Sequence, residues 1–216
     1  MADYTFYTHP MSRGQIARWA LHEAGVDYEQ VLVDWAARPA GLLAANPLGK
    51  VPVVVHHAPE GPRVISECAA ICAYLADGTD LAPTDTERAD YHRWMFFAAG
   101  PLEQAIVARS MGWEVPEGRQ AMVGFGSYDR AVAALEGHLA DHAFVCGDRF
   151  TMADVYVGAQ VDWGLSFKSL PERPAFVAYA ERLRARAGYG AAKAIDGALI
   201  AEAQQRQQQA QAAQQQ

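Results

Sequence analysis

The stretch that decides the fold is Asn46-Pro47-Leu48-Gly49-Lys50-Val51-Pro52-Val53-Val54-Val55, in which turn-forming residues run directly into an apolar strand. Pro52 is the second residue of that strand, where a proline withholds a hydrogen-bond donor from the sheet and permits a cis peptide bond. Such a strand start predicts a backbone that leaves Val51 available to pair with an outside peptide.

The segment from 64 to 75 reads as a strand end that breaks into a helix. Ser66 is a suitable N-cap for this helix, and Glu67 then falls in its first turn. An acidic residue in the first turn stabilises the helix dipole, which is a structural role open to Glu67 whatever its function.

Upstream, residues 4–8 alternate as a short strand, and Ser12 then opens a helix that ends at Gly25, a residue suited to a C-cap. Residues 28–33 give a second strand, and a helix between two such close strands implies a parallel βαβ crossover. Residues 51–55 and 63–65 form an antiparallel pair around the turn at 59–62. The predicted order of this half is βαβαββα.

Beyond residues 78–83 no strand pattern appears, and long helical patterns take over. Helices are predicted at about 85–111, 117–141, 153–167 and 174–187. We therefore expect one domain over residues 1–78 and an all-helical domain over 85–198. The Gln/Ala-rich tail at 199–216 offers no apolar stripe to dock, so we expect it to be frayed.

Together these features resemble the cytosolic glutathione S-transferases, in which a strand with a cis-proline precedes an acidic-Ser pair that opens a helix. The resemblance spans about residues 4–188 and is carried by Val51-Pro52 and Glu67-Cys68. It implies an α/β plus all-α protein, with an N-terminal thioredoxin-like domain that binds glutathione and a C-terminal all-helical domain.

In that family, one residue after the first strand holds the glutathione sulfur as a thiolate, and the resemblance assigns this role to Ser12. Tyr7, at the strand end, is the alternative, because tyrosine-type members keep their hydroxyl there. Ser12 also begins the S-x-x-Q pattern of a capping box with Gln15, a purely structural device. Alignment of the following helix with serine-type members places Met11 at the usual serine position. No cysteine precedes Cys68, so mixed-disulfide chemistry lacks its nucleophile.

The resemblance also implies how the tripeptide is held. The Val51 backbone would pair with the cysteinyl part next to a cis Pro52, and Glu67 would face the γ-glutamyl ammonium. The amide of Cys68 would receive the γ-glutamyl carboxylate, although Cys68 stands where the family usually has Ser. Lys50 would reach the glycyl carboxylate, or remain a solvated turn lysine.

A substrate pocket for an apolar electrophile is the last part of the site. Flexible methionines beside aromatic side chains suit varied apolar substrates, although helical spacing equally fits core packing. The pocket candidates are Met11, Tyr91, Trp94, Phe97, Met111 and Trp113. In contrast, Thr151 and Asp154 fit a capping motif at the start of one helix, and we assign them to folding.

Composition excludes several other classes of function. A net charge of −7 over 216 residues gives little support to nucleic-acid or anionic-membrane binding. No apolar run approaches the roughly 20 residues that span a bilayer, and the start lacks a signal-peptide pattern, so we expect a cytoplasmic protein. The histidines show no metal-binding pattern, and we expect no metal.

The resemblance therefore implies a homodimeric detoxification enzyme, a glutathione transferase that uses glutathione as co-substrate against a small apolar electrophile. Glutathione-dependent isomerases, dehalogenases and peroxidases use the same scaffold, and the sequence does not separate them. A non-catalytic transferase-like binding module is the alternative from another class.

Overall fold

The structure is a computed structural model that describes residues 2–214, and its chain forms two compact units. Unit 1 comprises the residues up to Ile71 together with those from Arg186 onward, and unit 2 runs from Cys72 to Ala185. The strands are β1 Tyr4–Thr8, β2 Tyr28–Leu32, β3 Val53–Ala58 and β4 Gly61–Ser66. The helices are α1 Gly14–Ala24, α2 Ala40–Ala45, α3 Cys68–Ala76, α4 Arg88–Phe97, α5 Glu103–Ser110, α6 Tyr128–Asp141, α7 Met152–Ser166, α8 Pro174–Arg184 and α9 Ala187–Gln214.

Unit 1 is built on one four-stranded sheet in the order β2-β1-β3-β4. β1 and β2 are parallel, whereas β3 is antiparallel to both β1 and β4. The register places Val53 opposite Tyr7 on one side and opposite Ser66 on the other. The predicted βαβαββα order is confirmed.

The alternation in β1 sorts its side chains between the two faces of the sheet. Tyr4, Phe6 and Thr8 are buried, whereas Thr5 and Tyr7 are half-buried. α1 ends at Gly25, whose left-handed backbone (φ 64°) donates its N–H to the carbonyl of His22 at 3.2 Å. The predicted C-cap at Gly25 is confirmed, because glycine accepts this backbone conformation without strain.

α9 belongs to unit 1, where it packs against α1. The buried Arg18 donates from Nε to Asp196 Oδ1 at 3.0 Å, and Arg186 forms an ion pair with Glu23 at 2.8 Å. The helix continues through the Gln/Ala-rich tail to Gln214, so the expectation of a frayed tail is wrong over residues 199–214. The last two residues of that expectation, 215 and 216, lie outside the described residues. Alanine and glutamine are good helix formers, and the packed first turns of α9 supply the nucleus that they extend.

Unit 2 is built mainly of helices, and the structure corrects two of the predicted helix ranges. The predicted helix at 117–141 begins only at Tyr128, where Ser127 is the N-cap and accepts from the Arg130 amide at 3.3 Å. Gly118 and Gly126 lie before it with positive φ angles of 75° and 63°, which a helix cannot include. The predicted helix at 85–111 is α4 and α5, joined by a π-helical turn at Ala98–Leu102.

Candidate functional site

One end of the sheet in unit 1, where β1 and β4 end and β3 begins, gathers most of the predicted glutathione-binding residues. Because Val53 pairs with both Tyr7 and Ser66, the chain segments that leave these three positions emerge at the same end of the sheet. The Cys68 Sγ lies 3.6 Å from the carbonyl oxygen of Arg13 and thus joins the start of α3 to the loop after β1. The structure therefore brings Ser12, Val51, Glu67 and Cys68 to one end of the sheet.

Val51 and Pro52 lead into β3 at this end of the sheet, and their peptide bond is cis, as predicted. Among residues 2–214, no hydrogen bond outside the helices and strands uses the Val51 amide or carbonyl. A residue that precedes a strand and keeps both backbone groups available can pair with an extended peptide as an added strand would.

Glu67 separates β4 from α3, and its backbone is in the left-handed region (φ 67°). Its carbonyl accepts the first helical bond, from the Ile71 amide at 2.9 Å, so Glu67 and not Ser66 precedes the helix. The predicted place of Glu67 in the first turn is therefore wrong. A left-handed conformation is uncommon for a residue with a side chain and is concentrated at ligand-binding positions.

Ser12 lies half-buried in the loop before α1. Its hydroxyl donates to the carbonyl of His9 at 2.6 Å and accepts from the amide of Gly14 at 3.0 Å. Gln15 instead donates from Nε2 to the carbonyl of Pro10 at 2.5 Å, so the S-x-x-Q capping box does not form. The Ser12 hydroxyl can donate only one hydrogen bond. It must therefore turn away from the His9 carbonyl before it can donate to a sulfur atom.

Tyr7 points to the face of the sheet that α2 covers. Its ring packs against the apolar cluster of Val33, Leu42 and Val53. Its hydroxyl oxygen lies only 2.4 Å from where a Cβ on Gly41 would be, so the tyrosine hydroxyl is held against the α2 backbone. This position differs from that of Ser12, which lies in the loop after the strand.

Three residues at this end of the sheet were missed by the sequence analysis. The His9 and Trp35 rings lie 5.5 Å apart, and the Arg38 guanidinium lies 5.7 Å from the centre of the Trp35 ring. The Arg38 side chain also reaches Gly49, since its Cδ is 3.4 Å from where a Cβ would be. His9 and Trp35 follow the carboxyl ends of two parallel strands, where ligands commonly bind, and that placement could have identified them.

Lys50 is exposed in the turn before Val51. Asn46 holds this turn, because its Nδ2 donates to the Lys50 carbonyl at 3.2 Å and its Oδ1 accepts from the Leu48 amide at 3.1 Å. These bonds fix the backbone of the turn, whereas the Lys50 side chain is exposed to solvent.

The structure separates the six substrate-pocket candidates by burial. Tyr91 and Trp94 are only 2% and 1% exposed inside unit 2, where burial raises the pKa of the Tyr91 hydroxyl. Met111 and Trp113 are 61% and 64% exposed, and Met11 in unit 1 is exposed as well. Phe97 is half-buried against Trp94, with ring centres 5.2 Å apart. Trp113 also lines a cavity of about 450 Å³ with Phe125 and Tyr128.

Neither a metal centre nor a membrane span is visible in the described part of the chain. Residues 2–214 contain no group of three His, Cys, Asp or Glu side chains arranged to hold an ion. None of the helices over the same range combines the length and apolar character needed to cross a bilayer.

Comparison with known proteins identifies the family. Residues 2–77 match the glutathione S-transferase N-terminal domain, and residues 90–163 match the C-terminal domain. Glutathione S-transferase 3 of Zea mays is 29% identical over 170 residues, which cover 71% of this chain and 75% of the maize protein. Elongation factor 1-gamma of Artemia salina is 33% identical over 122 residues, but these are 53% of this chain and 27% of that protein.

A solved structure agrees with these matches over nearly the whole chain. The sphingomonad glutathione S-transferase complexed with glutathione superposes with a TM-score of 0.70 at 27% identity, covering 89% of this chain and 98% of that one. The two domain matches lie in the family's order and together take in most of the sequence. The chain therefore belongs to the glutathione S-transferase family.

Proposed function

We propose that this glutathione transferase holds glutathione at the end of the unit 1 sheet where β3 begins and ionises its thiol for attack on a small apolar electrophile. The observation that carries the proposal is the Val51 backbone next to the cis Pro52. Within residues 2–214, its amide and carbonyl make no backbone hydrogen bond. An extended cysteinyl residue pairs with both groups as an added strand would.

The two ends of the tripeptide meet groups of suitable charge on either side of Val51. Glu67 lies at the β4–α3 junction for the γ-glutamyl ammonium, and the Cys68 amide at the first helical position receives the γ-glutamyl carboxylate. At the other end, Lys50 and Arg38 both border the turn at Gly49 and offer cations to the glycyl carboxylate.

Ser12 is proposed to stabilise the thiolate, with Tyr7 as the alternative. Lowering a thiol pKa from about 8.5 by two units needs about 3 kcal/mol of preference for the charged form. A hydrogen bond to a charged acceptor contributes about 1.5–3 kcal/mol, and the start of α1 adds roughly 0.3–1 kcal/mol. Ser12 precedes α1 by two residues and can use both effects.

The electrophile is proposed to meet the exposed apolar side chains. Met111 and Trp113 are the candidates in unit 2, and Met11 is the candidate in unit 1. Tyr91 and Trp94 are buried, and Phe97 packs on Trp94, so these three residues support the surface rather than form it. We further propose that the protein is a cytoplasmic, metal-independent homodimer with a role in detoxification, as the family resemblance implies.

A non-catalytic binding module is the second candidate function. It is favoured by the similarity to an elongation factor 1-gamma and by the Ser12 hydroxyl, which donates its one hydrogen bond to the backbone carbonyl of His9. Other glutathione-dependent reactions, such as those of isomerases, dehalogenases and peroxidases, remain open within the first candidate, since each begins from bound glutathione.

The test is an ultraviolet difference titration that follows the thiolate absorbance of bound glutathione against pH. We expect a thiolate signal near neutral pH for the wild type, and a thiol pKa raised by about one unit in Ser12→Ala. Ser110→Ala is the matched control, because the Ser110 hydroxyl also donates to a backbone carbonyl three residues earlier, at 2.9 Å. That control should titrate as the wild type does.

Two other outcomes would assign thiol activation to Tyr7 or would favour the non-catalytic binding module. Loss of the signal in Tyr7→Phe with a normal titration in Ser12→Ala would transfer the role to Tyr7. Binding of glutathione with no thiolate signal in the wild type would favour the binding module.

A further inference from the structure

A buried threonine hydroxyl without a hydrogen-bond partner lies beside the proposed thiol site. Thr8 is the last residue of β1 and is fully buried, and within residues 2–214 its Oγ1 makes no hydrogen bond. An unpaired buried hydroxyl is unfavourable, because folding removes its hydrogen bonds to water and replaces none of them. A valine would fill the same space without that loss. The hydroxyl of Thr8 therefore calls for an explanation outside core packing.

Gly14, at the start of α1, lies next to this hydroxyl and next to that of Ser12. The point where a Cβ of residue 14 would lie is 2.1 Å from Thr8 Oγ1 and 3.1 Å from Ser12 Oγ. The two hydroxyl oxygens therefore border the same small space. Any residue other than glycine would fill that space with its Cβ, so glycine at position 14 keeps the two hydroxyls accessible to each other.

The Ser12 oxygen can accept one more hydrogen bond than it does here. A hydroxyl group donates once and accepts twice. Ser12 donates to the His9 carbonyl at 2.6 Å and accepts from the Gly14 amide at 3.0 Å, and these are its side-chain hydrogen bonds in the described part of the chain. An unused acceptor on Ser12 thus borders the same space as an unused donor on Thr8.

We propose that Thr8 is a positioning residue for thiol activation, whose hydroxyl donates to Ser12 Oγ when Ser12 turns from the His9 carbonyl to the glutathione sulfur. This inference rests on the proposed role of Ser12 and extends it. The Ser12 oxygen then accepts from Thr8 and from the Gly14 amide while its proton is donated to the thiolate. Donation into a hydroxyl oxygen polarises its O–H bond and strengthens the hydrogen bond that it donates. Thr8 thereby lowers the thiol pKa through Ser12, without contacting the sulfur.

The test is the ultraviolet thiolate titration of bound glutathione in Thr8→Val, which removes the hydroxyl and keeps the size of the side chain. The thiol pKa should rise by about half a unit, which leaves roughly threefold less thiolate at a pH below the pKa. The thermal midpoint should stay unchanged or rise, because the substitution removes an unpaired buried hydroxyl. Thr8→Ser, which retains the hydroxyl, should titrate as the wild type does.

A double-mutant cycle separates an effect through Ser12 from a general effect on the loop. In the Ser12→Ala background, Thr8→Val should change the thiol pKa no further, because the group through which Thr8 acts is absent. Thr5→Val is the matched control, since the hydroxyl of this second threonine of β1 bonds instead to His57 Nε2, at 2.9 Å. This control should titrate as the wild type does.

The outcomes distinguish failure of this proposal from failure of the proposed function. An unchanged thiol pKa in Thr8→Val would overturn the positioning role alone, provided that Ser12→Ala raises the pKa. An equal rise with and without Ser12, or a rise in Thr8→Ser as large as that in Thr8→Val, would also overturn it, because the hydroxyl would not act through Ser12. A wild type without a thiolate signal, or a normal titration in Ser12→Ala, would overturn the role of Ser12 and that of Thr8 with it.

Discussion

Asp154, in the first turn of α7, is a fully buried carboxylate whose removal should test how unit 2 is held together. Its Oδ1 accepts from the Val145 amide and from the Tyr179 hydroxyl, each at 2.8 Å. Its Oδ2 accepts from the Thr151 amide at 2.8 Å and from the Thr151 hydroxyl at 3.1 Å. Burial raises the pKa of Asp154 to about 6, although these hydrogen bonds oppose that effect.

The Asp154→Ala substitution should destabilise unit 2 by about 3 kcal/mol. Of the four donors, the Thr151 hydroxyl can turn to Cys146 Sγ at 3.6 Å. The other three are left buried without an acceptor, namely the Val145 amide, the Thr151 amide and the Tyr179 hydroxyl. Each such donor costs about 1–3 kcal/mol, or about 6 kcal/mol together. Relief of the buried charge returns about 3 kcal/mol, because a pKa shift of about two units corresponds to that free energy.

Urea unfolding followed by tryptophan fluorescence measures this cost, and Tyr179→Phe is the matched variant. It removes one of the hydrogen bonds but keeps the carboxylate, so it should cost only about 1 kcal/mol. If Asp154→Ala costs no more than Tyr179→Phe, the hydrogen bonds to Val145 and Thr151 do not stabilise the fold as argued.

The pH dependence has a definite sign. The folded-state pKa of about 6 lies above the unfolded value of about 3.9, so the folded protein keeps a proton that the unfolded chain releases. The free energy of unfolding of wild type should therefore fall, relative to Asp154→Ala, as pH rises from about 4 to about 6. A difference that grows with pH would mean that the hydrogen bonds outweigh burial.

Two further substitutions test unit 1. Gly14→Ala should cost about 1–3 kcal/mol in urea unfolding, because a Cβ would lie 2.1 Å from the Thr8 Oγ1, and Thr8→Ala in the same chain should restore most of the loss. Arg18→Met should cost about 3–5 kcal/mol, because it leaves the Asp196 carboxylate buried without its cation; a loss below 1 kcal/mol would show that the pair does not hold α9.

The order of the elements could be predicted because it depends on local patterns. The alternation of β1, the glycine at the end of α1 and the proline before β3 each act within a few residues. The Thr151–Asp154 capping box is equally local, and it forms as predicted. The start of α6 was misjudged because the left-handed backbone at Gly118 and Gly126 interrupts a helical pattern that the other residues continue.

The association of α9 with α1 could not be predicted, because its contacts join residues far apart in the chain. Arg18 and Asp196 meet only after both helices have formed, and neither residue stands out in the sequence. Arg38 was missed for a similar reason, whereas Trp35 could have been identified from the predicted parallel pairing of β1 and β2. They are loop residues without a periodic pattern, and only the parallel pairing of β1 and β2 places Trp35 beside His9.

For Ser12, a local sequence pattern indicated a chemical role, but the Ser12 hydroxyl supplies only part of the pKa change that this role requires. Turning the Ser12 hydroxyl from His9 to a thiolate gives up one ordinary hydrogen bond, worth about 1 kcal/mol, and gains one to a charged acceptor, worth about 1.5–3 kcal/mol. The net gain of about 0.5–2 kcal/mol lowers a thiol pKa by about one unit, which is half of what ionisation at neutral pH requires. The rest must come from the start of α1 and from backbone amides in the same loop. Ser12→Ala should therefore weaken thiol ionisation without abolishing it.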